Sequence, residues 1–150
     1  MIVTFIGHRD VLDSESVGSW VRQSILGLGD KRLTFYCGGY GDFDRLCAMV
    51  CKDLKSVMPE SELVLVTPYI DRVPMDDFYD IILYPPLESV PKRLCILRRN
   101  FYMIEKADVV IAYVRRSYGG AYKALLYAKR LGKTILAFDD ATEEKKKAIY

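Results

Sequence analysis

Short apolar runs alternate with amphipathic stretches along this chain, and that alternation restricts its fold more than any other feature. Residues 2–6 (Ile-Val-Thr-Phe-Ile), 33–37, 63–67, 108–114 and 134–138 are β-rich runs of strand length. Between them, apolar residues recur three and four apart, as helices require: Val17, Trp20, Val21, Ile25 and Leu28, then Phe43, Leu46, Cys47, Val50, Cys51 and Leu54. The spacing returns at Leu94, Leu97, Phe101 and Ile104, which leaves Arg98, Arg99 and Asn100 off the apolar stripe, and again at Ala121, Ala124, Leu125, Ala128 and Leu131. Strands that are apolar throughout need cover on both faces, which points to an α/β, Rossmann-like open sheet, mainly parallel, with helices on both sides. Right-handed crossovers around a central first strand predict five strands in the order 3-2-1-4-5, with a switch point between strands one and four. Ser14 or Ser16 is expected to cap the first helix. Residues 69–91, which carry Pro74, Pro85, Pro86 and Pro91, read as a partly helical excursion over the pocket, and Glu143 to Tyr150 as a solvated helical end.

A length of 150 residues suits one domain, 1–150, with its own core. Twenty-two basic and 20 acidic residues leave a net charge of +2, a balance that argues against a nucleic-acid partner or an anionic membrane surface. No apolar run approaches the ~20 residues that span a bilayer, and no secretory segment opens the sequence, so a cytoplasmic protein is the expectation. Cys37, Cys47, Cys51 and Cys95 form no CxxC pair and His8 is the single histidine, a poor metal-ligand set. The thiols read as buried, reduced core residues.

Two glycine turns lie where a strand hands over to a helix: Cys37-Gly38-Gly39-Tyr40-Gly41-Asp42-Phe43-Asp44 and Ser117-Tyr118-Gly119-Gly120-Ala121. A helix that starts there aims unpaired N–H groups and its positive dipole end at the turn, and glycine lets a phosphate approach the backbone. With Gly7-His8-Arg9 after the first strand, they read as one rim for a phosphate-bearing ligand. Arg9 is a candidate phosphate clamp. Asp44 is a candidate for a ribose hydroxyl, or a complement to the helix dipole. Ser117 is either a phosphate donor or a helix cap. Tyr69, Tyr79 and Tyr84 can stack on a base or pack against another chain.

Thr4-Phe5-Ile6-Gly7-His8-Arg9, the Gly38 to Asp44 turn, Arg99-Asn100 with Met103, and Gly119-Gly120 together resemble the SLOG superfamily. That group includes the LOG phosphoribohydrolases, the DNA-processing protein DprA and small stand-alone proteins of the YpsA/YoqJ type, which this chain resembles most. The resemblance implies binding of a nucleotide-derived small molecule, such as a nucleoside monophosphate, ADP-ribose or an NAD-related signal, by a homodimer with no cofactor. It places Gly7, His8, Arg9, Gly38, Gly39, Tyr40, Gly41, Asp44, Asn100, Ser117, Gly119 and Gly120 around the ligand. Arg99 matches the arginine of the hydrolases' RKxxM pattern. Their glutamate after the second glycine turn has no match, because Tyr122 and Lys123 stand in that stretch. Cleavage of an N-glycosidic bond needs a carboxylate to support an oxocarbenium-like state, so sensing or sequestering is expected over hydrolysis. If the chain is an enzyme, Arg99 and Asp44 are its catalytic candidates.

Overall fold

The computed structural model describes residues 1–73 and 77–139. Six strands, β1 (Ile2–Gly7), β2 (Thr34–Cys37), β3 (Glu62–Val66), β4 (Ile81–Leu83), β5 (Val109–Tyr113) and β6 (Thr134–Ala137), form one sheet in the order β4-β3-β2-β1-β5-β6. All pairings are parallel. The five expected strands keep their expected order, but the sheet has six strands, not five. The sixth, β4, spans three residues with exposed isoleucines at 81 and 82, so neither its length nor its burial marks it in the sequence.

Successive side chains on a strand point to opposite faces, and here each face has its own core. Val3, Phe5, Phe35, Leu63, Ile111 and Tyr113 pack against α1 (Ser14–Leu26) and α2 (Asp42–Leu54) through Val17, Val21, Ile25, Phe43, Cys47 and Leu54. Ile6, Val110 and Ala112 pack against α3 (Cys95–Lys106) and α4 (Gly120–Arg130) through Ile104, Ala124 and Ala128. Each fully buried aliphatic side chain, such as Ile25 or Leu54, contributes about 1.5–3 kcal/mol. All four cysteines are buried and free.

Three local expectations are corrected. Asp13 caps α1, its carboxylate accepting the Ser16 N–H at 3.2 Å, in place of Ser14 or Ser16. The described part of residues 69–91 contains no helix and contributes nothing to the large cavity below; it supplies β4 and leads to a 3-10 turn at Lys92–Leu94. Arg99 lies on the buried face of α3 with Cys95 and Met103, not off it, because its guanidinium finds carbonyl partners beneath the helix. Pro74 and residues 143–150 lie outside the described residues.

Candidate functional site

Strand order reverses at β1, whose neighbours are β2 and β5, and in open parallel sheets the crevice beyond the strands' carboxyl ends at such a point is where ligands bind. A cavity of about 450 Å³ opens there. Gly7, His8 and Arg9 reach it from the end of β1, Tyr40 and Asp44 from the first glycine turn and α2, and Arg99 and Asn100 from α3. Gly119 and Gly120 close it on the side of α4. Gly38 and Gly39 line a second, smaller cavity of about 160 Å³, while Gly41 and Ser117 line neither. Asp10, Ile96, Arg116 and Tyr118 also line the large cavity, and sequence reading passed over them. Arg116 and Tyr118 flank Ser117 beside the second glycine turn, which was the available signal.

The two turns share one backbone geometry. Gly41 caps α2 at φ 88°, ψ 173°, and Gly119 caps α4 at φ 89°, ψ −179°, a region that only glycine enters readily. Their surroundings differ. At α2, the N–H groups of Asp42 and Phe43 donate to the carbonyls of Arg9 (2.8 Å) and His8 (3.4 Å), and a Cβ on Gly41 would meet Arg9 Cα at 2.9 Å. The segment after β1 therefore plugs that helix end. At α4 no side chain caps the helix, and a Cβ on Gly119 or Gly120 would have nothing within 4 Å. Gly119, Gly120 and Ala121 line the cavity, so the start of α4 borders it, where an anion-binding helix end would lie.

Arg99 and Asp44 sit behind Tyr40. Arg99 is 1% exposed; Nη1 donates to the carbonyls of Gly38 (2.5 Å) and Val66 (2.8 Å), and Nε donates to Asn100 Oδ1 (2.9 Å). It thus ties α3 to the ends of β2 and β3. Asp44 Oδ2 accepts the Tyr40 N–H at 3.0 Å. A Cβ on Gly38 would meet Asp44 Oδ2 at 2.7 Å and the Arg99 guanidinium at 3.1 Å, so this glycine makes room for the pair. Burial pushes the Asp44 carboxyl up to about 6, although Arg99, the Tyr40 N–H and Arg45 pull it down. The result is a carboxyl that titrates near neutrality on the cavity wall.

His8 is 7% exposed, and its Nε2 accepts the Arg115 N–H at 2.8 Å, which requires that nitrogen to be unprotonated. Burial lowers its pKa, and the charges of Arg116 and Arg115 lower it further against the opposing pull of Asp10. The bond joins the end of β1 to the segment that carries Arg116 and Tyr118. Arg116 pairs with Asp10 at 3.3 Å and lies 5.6 Å from the Tyr118 ring centroid. Tyr118 itself is 67% exposed, an aromatic surface at the mouth. Tyr122 and Lys123 do not reach the cavity, and Glu105 accepts the Tyr127 hydroxyl at 2.6 Å away from it. Among the described residues the cavity's carboxylates are Asp10 and Asp44. No three His, Cys, Asp or Glu among the described residues are grouped to hold a metal ion, and no described helix is long and apolar enough to cross a membrane.

No family model matches the chain, and no curated protein is significantly similar to it in sequence. Solved structures share its architecture. DprA from Helicobacter pylori, whose structure is described for its single-stranded DNA binding mode, matches with a TM-score of 0.64 at 16% identity. That match covers 93% of this chain and 66% of that protein. DprA from Streptococcus pneumoniae matches with a TM-score of 0.64 at 16% identity, over 90% of this chain and 49% of that one. The fold is a DprA-like Rossmann fold. The Moco carrier protein of Chlamydomonas rheinhardtii also shares it, with a TM-score of 0.57 at 13% identity over 99% of this chain and 82% of that one. This chain spans about half to two thirds of the length of the DprA proteins it matches. The comparison overturns one expectation: a net charge of +2 does not count against a nucleic-acid partner, since this fold serves single-stranded DNA binding in H. pylori DprA. Net charge averages the whole surface, whereas Arg9, Arg99 and Arg116 converge on one cavity.

Proposed function

We propose that the large cavity binds a nucleotide or nucleotide-derived ligand and that the protein senses or sequesters it. One observation carries this reading: the uncapped amino end of α4 opens onto the same cavity as the buried cation Arg99. A phosphate at Gly119 and Gly120 receives the first N–H groups of α4, with Arg116 beside it. A sugar next to the phosphate lies toward Asp44, whose carboxylate accepts hydroxyl hydrogen bonds. Mass spectrometry of small molecules released from the heat-denatured protein tests this directly. A nucleotide is the expected species, and a protein that neither carries nor binds one contradicts the reading.

Two observations favour other uses of the same chemistry. Asp44 faces the cavity near Arg99, so it is placed to serve as a relocated acid for LOG-like cleavage of a nucleoside monophosphate. Incubation with AMP separates this from binding alone, because hydrolysis releases free adenine. The fold shared with DprA favours a phosphate supplied by single-stranded DNA, with Tyr118 as a stacking surface. Competition between an oligonucleotide and AMP for the same protein distinguishes the two sources.

A further inference from the structure

Tyr40 lines both cavities: the large one at the switch point, and the small one bounded also by Gly39, Leu65, Thr67, Arg72 and Tyr79. Small-molecule pockets run from about 300 to 1,000 Å³. At about 450 Å³ the first cavity holds a ligand alone, whereas the second, at about 160 Å³, has room only for a fragment such as one ring. Tyr40 is held between them. Its backbone N–H is fixed on Asp44, the Arg99 guanidinium lies 5.6 Å from its ring centroid, and the Tyr69 ring meets it edge-on at 6.4 Å.

We propose that Tyr40 sets how far a ligand can extend, admitting a nucleotide that ends in a sugar and excluding one that carries a further ring on that sugar. The inference rests on the nucleotide reading above. With phosphates on the amino end of α4 and one nucleoside at Tyr118, the far sugar comes to Asp44 and Arg99, and anything beyond it meets the Tyr40 ring. The small cavity behind, walled by Tyr79 and Leu65, fits a planar heteroaromatic ring once Tyr40 is shortened.

ADP-ribose and NAD differ by one such ring and are the probes. Calorimetric titration of wild-type protein with both is expected to favour ADP-ribose by tenfold or more. Tyr40→Ala is expected to reduce that preference at least tenfold, chiefly by tightening NAD, while Tyr40→Phe, which keeps the ring, behaves as wild type. A wild-type protein that binds both equally, or a preference unchanged in folded Tyr40→Ala, overturns the role of Tyr40 alone. Failure of wild type to bind AMP, ADP-ribose or NAD overturns the nucleotide reading and this inference with it. If Tyr40→Ala does not fold, Tyr40→Leu, which removes the ring and keeps apolar bulk, is titrated in its place with the same outcomes.

Discussion

Gly41 and Gly119 adopt the same helix-capping conformation, yet the first is covered by the backbone of Arg9 and the second is open. One turn is consumed in holding the β1 end against α2, and the other borders open space in the cavity. Substitution at the two positions should therefore fail in different ways. Gly41→Ala collides with Arg9 as well as straining the backbone, so its main effect should be a lower melting temperature. Gly119→Ala suffers the strain alone, about 1–3 kcal/mol or roughly 2–12 °C for a chain of this size. Thermal melting of the two variants side by side checks the ranking, which a larger loss at Gly119 would reverse.

His8 should titrate below its ordinary value. Because its folded pKa is lowered from 6.5, its contribution to stability is present above that value and is lost as pH falls through the folded pKa. Protonation removes the acceptor for the Arg115 N–H. It is the single histidine in the chain, so its ring signal in a proton NMR titration is unambiguous. A midpoint below 6.5 is expected, and one at or above that value contradicts the geometry.

Asp44 contributes with the opposite sign. Its folded pKa of about 6 exceeds the ordinary 3.8, so the stability it confers is fully present below 3.8 and is lost as pH rises through about 6. The loss at neutral pH amounts to about 3 kcal/mol. Asp44→Asn keeps an oxygen for the Tyr40 N–H and removes the titration. Melting curves should show the variant gaining on wild type between about pH 4 and about pH 7. A gap that does not change across this range would place Asp44 in a more solvated setting.

Arg99 answers to a different measurement. Arg99→Ala removes the guanidinium that donates to the carbonyls of Gly38 and Val66 and the cation that most lowers the Asp44 pKa, a loss of about 1.5–3 kcal/mol for each charged hydrogen bond. Chemical denaturation should show this loss, and an effect below about 1 kcal/mol, the range of surface pairs, would contradict the burial seen here.

Much of this was legible in the sequence because it followed from periodicity. Apolar runs such as Val109–Tyr113 reported strands buried on both faces, and glycine after strands β2 and β5 located the two helix starts. What escaped depended on tertiary partners. Arg99 looked like a surface cation because helical periodicity counts a charge as polar, while its burial depends on carbonyls from β2 and β3. β4 is stabilised by pairing to β3, not by its own three residues. The difference between Gly41 and Gly119 arises from the path of Arg9, far from either turn in sequence.

The central claim is that the open end of α4 receives a ligand's phosphate. Calorimetric titration of ADP-ribose into wild type and Gly119→Val, each first shown to be folded by melting, tests it most directly. The expected result is binding by wild type and at least a tenfold loss in Gly119→Val, whose side chain adds bulk to the cavity wall at the start of α4. Wild-type affinity in a folded Gly119→Val protein would contradict the account.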